Sequence, residues 1–287
     1  MSFIEKIVLG TVQFGIDYGI NNISGKVHPT EVCSILDLAN RSGIKILDTS
    51  YAYGESELVL GKCLNDKLLN FKIISKFPQC TKSVDEIFEE TLIRLKTSHL
   101  YGYLVHHFNF YLEHPEIWES FKKLKDKGQV EKIGFSIYSS LELEYLLEHN
   151  IQFDLIQFPY NIFDRQFDPY LGILKKNNVE VHTRSVFLQG LFFKDVDALS
   201  ERLLPLKPYL ALIHSYCDKN TLSIEQLALN WVLSKPEIDG VLIGVDNIGQ
   251  LTDDIKMANG NIGQNDIDFI ESIQVKEKEL LNPVNWK

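Results

Sequence analysis

Several features that assign a protein to a specialised class are scarce in this sequence. Its 287 residues include four cysteines, 17 glycines and 9 prolines, and no two cysteines form a C-x-x-C pair. These counts argue against a disulfide scaffold, a collagen-like chain and a low-complexity chain. The N-terminus lacks the apolar core of a signal peptide, and no apolar run reaches the roughly 18 residues that a transmembrane helix needs. We therefore expect a reduced, cytoplasmic compartment and no membrane partner.

Positive charge is also in short supply. The 29 lysines and arginines are outnumbered by 39 aspartates and glutamates, which gives a net charge of −10. Neither nucleic acid nor an anionic membrane surface is therefore predicted as a partner. The histidines show no metal-binding spacing, and the sequence has no G-x-S-x-G elbow and no P-loop. We expect no metal site, and the sequence leaves the oligomeric state open.

The chain does contain a repeated alternation of short apolar runs and longer stretches with helical spacing of apolar residues. Eight such units in 287 residues are about 36 residues each, and no flexible linker divides them. They predict one domain over residues 1–287 with the α/β architecture of a (β/α)8 TIM barrel. An open doubly wound sheet is the alternative, but it usually needs fewer units, and the first strand-turn lacks a G-x-G-x-x-G fingerprint. The predicted strands are residues 6–9, 44–47, 72–75, 101–105, 132–135, 153–156, 179–183 and 240–243.

Helices are predicted between the strands where apolar residues recur every three or four positions. Ser83 and Glu86 have the spacing of a capping box, which marks the start of one of them. The predicted helices are residues 55–63, 83–96, 115–127, 140–149, 167–177 and 223–234.

Polar or ionisable residues follow nearly every predicted strand. In a TIM barrel the carboxyl ends of the strands share one rim, and that rim carries the active site. Asp48, Lys76 and His106 follow three consecutive strands, which favours a catalytic group over the chance placement of solvated strand ends. The other predicted strand ends carry Ser136, Gln157, Arg184 and Gly244.

Tyr53 lies five residues after Asp48, on a predicted loop over this rim. A phenol with a pKa of about 10 is a poor acid at neutral pH. A nearby ammonium stabilises the phenolate and lowers that pKa. Lys76 would supply the ammonium, Asp48 would hold the lysine, and His106 would orient a carbonyl oxygen. The group predicts a proton donor suited to carbonyl reduction.

The segments around these residues resemble the aldo-keto reductase superfamily. The resemblance covers nearly the whole chain and is carried by LGTVQFG, LDTSYAYGESE, IISK, YLVHH, EKIGFS, FDLIQFPYN and IGVDNIGQLTDDI. It implies a barrel that binds a nicotinamide dinucleotide without a Rossmann fold and reduces a small-molecule aldehyde or ketone to an alcohol. By position, Tyr53 is the family's general acid, Asp48 and Lys76 tune it, and His106 polarises the substrate carbonyl.

The resemblance also implies contacts with the cofactor. Gly10 and Thr11 match positions close to the nicotinamide ribose, next to Asp48. Ser136 and Gln157 match positions that hydrogen-bond the carboxamide, although a hydroxyl satisfied by the backbone is an equal interpretation of Ser136. The adenosine-binding segment is matched by Gly244, Asp246, Gln250 and Asp254. The last of these positions is commonly Asn in the family.

Arg184 departs from the family pattern, which commonly places an aromatic ring against the nicotinamide at this position. A planar guanidinium can also stack on a ring, and its charge would disfavour oxidised nicotinamide. An ion pair of Arg184 with Asp164 or Asp168 is the alternative interpretation.

The choice between NADPH and NADH is open in the sequence. Family habit implies NADPH, yet residues 244–250 contain no Lys or Arg for a 2′-phosphate. Asp246 in that segment suits a free ribose hydroxyl and repels a phosphate, which favours NADH.

The predicted function is an NAD(P)H-dependent aldo-keto reductase, with a sugar-type carbonyl as a fold-level analogy for its substrate. One alternative is a catalytically slow dinucleotide-binding regulatory protein on the same fold. Another is a Schiff-base lyase that uses Lys76, which Asp48 argues against by favouring the charged amine.

Overall fold

Eight parallel strands close into a barrel, as the sequence predicts. The computed structural model describes residues 3–20, 22 and 25–286. Its strands follow one another in chain order, and the last pairs with the first. The chain is therefore a (β/α)8 TIM barrel. The strands are β1 (Ile7–Gly10), β2 (Ile46–Asp48), β3 (Lys72–Phe77), β4 (Leu100–Val105), β5 (Val130–Ser136), β6 (Leu155–Pro159), β7 (Glu180–Arg184) and β8 (Gly240–Gly244).

Helices connect the strands and pack around the barrel. Each of the six predicted helices is present, and the capping box of Ser83 and Glu86 is formed. No helix in the described part of the chain is both long and apolar enough to cross a membrane. The α-helices of that part are α1 (Pro29–Arg41), α2 (Ser56–Lys67), α3 (Val84–Leu95), α4 (Phe108–Glu113), α5 (Ile117–Asp126), α6 (Ser140–Glu148), α7 (Asp168–Lys176), α8 (Lys207–Asn220), α9 (Ile224–Leu233), α10 (Ile248–Ala258) and α11 (Gln264–Ser272).

The main apolar core lies between the strands and the helices. In β4 all six residues are buried, as expected for a strand covered on both faces. Tyr103 of this strand stacks on Phe121 of α5 with ring centroids 5.0 Å apart, and Phe88 of α3 meets it edge-on. A smaller apolar cluster contains Ile74, Leu104 and Leu155, with Ile46 packed against it.

The expectation that the cysteines are reduced is wrong for one pair. Cys33 on α1 and Cys63 on α2 form a disulfide, with their Cα atoms 5.3 Å apart. The two helices pack side by side, which brings together cysteines 30 residues apart in the chain. Cys80 and Cys217 are free. The cytoplasmic location predicted from the cysteine pattern remains a prediction.

The amino-terminal end of the barrel contains a hydrogen-bonded carboxylate. Glu180 of β7 accepts from the Tyr101 hydroxyl at 2.6 Å and from the Lys132 ammonium. Its other oxygen lies 2.7 Å from Nε2 of the buried His182. Burial would raise the pKa of Glu180, but hydrogen bonds from His182, Lys132 and Tyr101 outweigh it and lower the pKa to about 2.

Replacing this carboxylate should destabilise the barrel in a pH-dependent way. We expect Glu180→Gln to lose roughly 1–3 kcal/mol of unfolding free energy near pH 7, because its donors lose a charged acceptor. The wild-type contribution is complete above the unfolded pKa, near 4.5, and is lost as the pH falls through the folded pKa. The difference between the two proteins should therefore shrink towards pH 2 to 3, a range set by the folded pKa of about 2. Urea denaturation at several pH values measures it.

The exposed Glu131 on β5 is the matched control. Glu131→Gln should change the unfolding free energy by less than about 0.5 kcal/mol. Equal losses for the two variants, or a loss at Glu180 that does not change with pH, would contradict the assignment.

Candidate active site

The carboxyl ends of the strands bring the predicted site residues to one rim of the barrel. Asp48 is the last residue of β2, Lys76 is the second-last of β3, and His106 directly follows β4. The parallel pairing of these strands places their ends side by side. The other predicted strand-end residues at this rim are Ser136 of β5, Gln157 of β6, Arg184 of β7 and Gly244 of β8.

Lys76 and Asp48 form a buried ion pair within the rim. Their side chains are 0% and 3% exposed, and Nζ lies 2.5 Å from Oδ1. Nζ also donates to the carbonyl oxygen of Thr49 at 2.8 Å, and Oδ2 accepts from Nε2 of Gln157 at 2.8 Å. Burial lowers the pKa of Lys76, while the Asp48 carboxylate opposes this change. The pair connects the ends of β2, β3 and β6.

Tyr53 lies in the turn between β2 and α2, held against the segment that follows β1. The backbone of Gly15 approaches this turn so closely that a Cβ atom on residue 15 would lie 1.7 Å from the carbonyl oxygen of Tyr53. Only glycine fits there. The hydroxyl of Ser56, at the start of α2, donates to the Thr11 carbonyl oxygen at 2.9 Å and fixes the other end of the turn.

The Tyr53 ring contacts two of the three other ionisable groups predicted for the site. The His106 ring meets it edge-on at 5.6 Å between centroids. The ammonium nitrogen of Lys76 lies 5.2 Å from the Tyr53 ring centroid. The structure thus brings together all four side chains that the sequence nominates as catalytic.

The expected lowering of the Tyr53 pKa is wrong. Burial raises the pKa of the phenol, and the negative charge of Asp48 raises it further, while Arg184 pulls in the opposite direction. The desolvation of a buried phenolate therefore outweighs the nearby positive charge. Burial, together with the charge of Lys76, lowers the pKa of His106 well below its ordinary value, so its imidazole is neutral at pH 7.

Ser50 is a site residue that the sequence analysis did not identify. Its hydroxyl oxygen lies 3.0 Å from Nδ1 of His106 and accepts from the backbone N–H of Ala52 at 3.1 Å. The side chain is buried. Its position two residues after Asp48 in the same turn was the available signal.

A cavity of about 370 Å³ opens at this rim. It extends from Tyr53 past the end of β1 to the start of α10. The predicted residues that line it are Gly10, Thr11, Asp48, Tyr53, Gln157, Arg184, Gly244, Asp246, Gln250 and Asp254. Lys76, His106 and Ser136 are not lining residues. Ser136 is buried, and its contact with the carboxamide remains a prediction.

The end of the cavity near α10 is acidic. Four carboxylates contribute to the lining, those of Glu225, Asp246, Asp253 and Asp254. Burial, with the charges of Glu225 and Asp253, raises the pKa of Asp254 to about 7. Gln250 is already engaged, because its side-chain oxygen accepts from the Asp246 N–H at 2.7 Å.

Two buried acceptor atoms on lining residues have no hydrogen-bond partner in the described part of the chain. They are Oε1 of Gln13 and Oδ1 of Asp246. Gln13 lies next to Gly244, where a Cβ atom would come within 2.6 Å of the Gln13 amide nitrogen. A hydrogen-bond donor from a bound ligand or an ordered water molecule would satisfy them.

Arg184 makes neither of the two expected ion pairs. Its guanidinium lies over the Tyr138 ring, 4.0 Å from the centroid, and Nη2 donates to the Ile137 carbonyl oxygen at 3.1 Å. Asp164 instead accepts from Gln166, and Asp168 accepts from the Tyr160 hydroxyl. Within residues 3–20, 22 and 25–286, no three His, Cys, Asp or Glu side chains are placed to hold a metal ion.

The chain is similar to known proteins over most of its length. The model of the Aldo/keto reductase family matches residues 6–275. The uncharacterized oxidoreductase YqkF of Bacillus subtilis is 27% identical over 282 residues, which cover 89% of this chain and 91% of that protein. The NADH-specific methylglyoxal reductase of Escherichia coli is 22% identical over 79% of this chain and 82% of its own. The holo form of an aldo-keto reductase from Bacillus halodurans superposes with a TM-score of 0.71 at 22% identity, covering 95% of this chain and 94% of that one.

Removing one partner of the buried ion pair should cost more than removing both. We expect Asp48→Ala to lose about 3–5 kcal/mol of unfolding free energy, because the Lys76 ammonium is left buried without its counter-charge. Adding Lys76→Met to that variant should recover a large part of the loss. Urea denaturation of the two single variants and the double variant measures the coupling. Additive losses in the double variant would show that the pair does not hold the rim together.

Proposed function

Because the chain belongs to the aldo/keto reductase family, we propose that it reduces a small aldehyde or ketone to an alcohol with NADH or NADPH. The observation that carries this proposal is the convergence of Tyr53, the Lys76–Asp48 pair and His106 beside one cavity. A sugar-type carbonyl is kept as a substrate candidate by analogy at the level of fold.

Tyr53 is the proposed general acid. Its raised pKa keeps the phenol protonated at neutral pH, so the proton is available at the start of each turnover. When the phenol gives this proton to the substrate oxygen, the resulting phenolate faces the Lys76 ammonium, 5.2 Å from the ring centroid. That positive charge stabilises the phenolate. Asp48 keeps the ammonium in place.

His106 is the proposed group that orients the substrate carbonyl. The Ser50 hydroxyl oxygen accepts a hydrogen bond from the Ala52 backbone N–H. Its own single proton is donated to one further acceptor. Nδ1 of His106 at 3.0 Å is closer than the Lys76 carbonyl oxygen at 3.5 Å. Donation to Nδ1 places the ring proton on Nε2. The neutral imidazole then has one N–H to donate to a carbonyl oxygen.

The chemistry of the cavity lining fits a nicotinamide dinucleotide. Gly10, Thr11 and Gln157 would hold its nicotinamide half, and the amide oxygen of Gln157 is suited to accept from a carboxamide. The unpartnered oxygens of Gln13 and Asp246 suit the hydroxyl groups of ribose. Gly244, Gln250 and Asp254 would line the adenosine half. When bound, the reduced cofactor supplies the hydride that the carbonyl carbon accepts.

NADH is the proposed cofactor in preference to NADPH. The α10 end of the cavity presents four carboxylates, and Arg184 at the end of β7 is the one basic side chain among the described lining residues. A 2′-phosphate would bring negative charge next to Asp246 and gain no cationic partner there. The relative from Escherichia coli is named an NADH-specific reductase, which agrees with this choice.

A Schiff-base lyase is disfavoured by the surroundings of Lys76. Its side chain is fully buried, and its nitrogen is held by Asp48 and by the Thr49 carbonyl oxygen. A nucleophilic lysine must instead be uncharged and accessible to the substrate.

Removing the Tyr53 hydroxyl should separate catalysis from binding. We expect Tyr53→Phe to lower kcat by about 10²- to 10⁴-fold, because a positioned acid contributes that much. Its NADH dissociation constant should stay within about twofold of the wild type, because the Tyr53 hydroxyl is proposed to act on the substrate and not to bind the cofactor. Cofactor oxidation with butanal, methylglyoxal and xylose measures turnover, and quenching of NADH fluorescence measures binding.

Tyr51 provides the matched control. It lies in the same turn, but its hydroxyl donates to Glu90 at 2.5 Å on the outer surface. Tyr51→Phe should keep wild-type turnover. Undiminished turnover in Tyr53→Phe would require another acid. A wild-type protein that binds NADH but reduces no carbonyl would instead be the slow dinucleotide-binding regulatory protein.

The cofactor preference should depend on Asp246. We expect the wild type to bind NADH at least tenfold more tightly than NADPH, and Asp246→Ser to reduce that ratio by roughly tenfold through relief of charge repulsion. Fluorescence titrations with both cofactors measure the ratio. Asp268→Ser on exposed α11 removes the same charge away from the cavity and should leave the ratio unchanged. Tighter binding of NADPH by the wild type would refute the choice of NADH.

A further inference from the structure

The cavity has a second functional group that the proton-donor machinery does not use. Arg184 is the one basic side chain among its described lining residues, and Tyr53 lines the same cavity. Arg184 therefore borders the same space as the proposed proton donor.

The contacts of Arg184 hold its side chain without a direct ion pair in the described part of the chain. One face of the guanidinium is stacked on Tyr138, and one N–H donates to the Ile137 carbonyl oxygen. No carboxylate of the described residues lies within 4.0 Å of its nitrogens. A guanidinium has five N–H donors, so most of them remain for a ligand.

The surroundings of Arg184 favour a small ligand with an anionic end. The loop after β7 adds the apolar side chains Val186, Phe187 and Phe193 to the lining. Tyr18 contributes a hydroxyl that accepts from Gln189 at 2.7 Å and keeps its own proton for a further bond. The acidic side chains of the lining belong to the α10 end, apart from Asp48, which is paired with Lys76.

We propose that Arg184 binds an oxyanion on the substrate, so that the enzyme prefers aldehydes or ketones that carry a carboxylate or phosphate group. The inference rests on the proposed reductase function and names the substrate class of the same site. The edge of the guanidinium would form charge-assisted, two-point hydrogen bonds to the anion. Tyr138 would hold the guanidinium plane in position. The carbonyl at the other end of the substrate would then lie toward Tyr53.

Two matched substrate pairs test this preference. They are 4-oxobutanoate with butanal, and glyceraldehyde 3-phosphate with glyceraldehyde. We expect kcat/KM to be about ten- to a hundredfold higher for at least one anionic member, the range for a hydrogen bond to a charged group. The pair that shows the larger ratio distinguishes a carboxylate from a phosphate. Equal values within both pairs would overturn the proposal.

Arg184→Gln should remove the preference selectively. KM for the preferred anionic substrate should rise by about ten- to a hundredfold. KM for the neutral member of the pair and the NADH dissociation constant should change little. Arg184→Lys should recover part of the preference, since it keeps the charge but loses the fork. Arg41→Gln, an exposed arginine at the end of α1, is the control for charge. An equal loss for both substrates, together with weaker NADH binding, would assign Arg184 to the cofactor and overturn the proposal.

A binding measurement separates failure of this inference from failure of the proposed function. Calorimetry on the NADH-bound protein should show tighter binding of butanoate than of butanamide, and this difference should vanish in Arg184→Gln. If the wild type reduces none of the carbonyls, the reductase proposal fails, whereas the butanoate difference still supports an anion site at Arg184. Equal binding of butanoate and butanamide overturns the anion site even when carbonyl reduction is observed.

Discussion

The buried ion pair of Lys76 and Asp48 is the interaction on which the rest of the site depends. Two charges removed from water are tolerated only when each satisfies the other and their remaining hydrogen-bonding groups find partners. Thr49 and Gln157 supply those partners, and they come from the ends of different strands. The same pair places an ammonium beside the Tyr53 ring. Stability of the rim and placement of the proposed proton donor thus have one physical origin.

Charge is distributed unevenly along the cavity, and this distribution orders the proposals. The end near α10 contains carboxylates and an unpartnered acceptor, while Arg184 ends β7 and lines the same cavity as the proposed proton donor. A ligand in the cavity therefore meets both acceptors and a cation. The net charge of the whole chain conceals this polarity, because a sum over all residues cannot report where the few cationic groups lie.

The local pattern of apolar residues predicts much of the fold, and position at the strand ends predicts much of the site. Because the strand ends of a barrel share one rim, the sequence alone groups Asp48, Lys76 and His106. Effects that depend on three-dimensional surroundings were not readable. The direction of the Tyr53 pKa shift is set by burial, and the Arg184–Tyr138 stack joins the end of β7 to the loop after β5. The Cys33–Cys63 bond likewise depends on how α1 packs on α2. Helix α1 was missed although Val32, Ile35, Leu36 and Ala39 have helical spacing.

The circular order of the strands has a consequence for how such a protein diversifies. The groups proposed to handle the proton come from β2, β3 and the start of the segment after β4, whereas Arg184 and its apolar neighbours belong to β7 and the loop behind it. These two arcs of the ring share no backbone hydrogen bonds, because β5, β6, β8 and β1 separate them. Insertions in the loop behind β7 can therefore change recognition without breaking the strand pairing that positions Asp48 and Lys76, which makes the scaffold evolvable in modules.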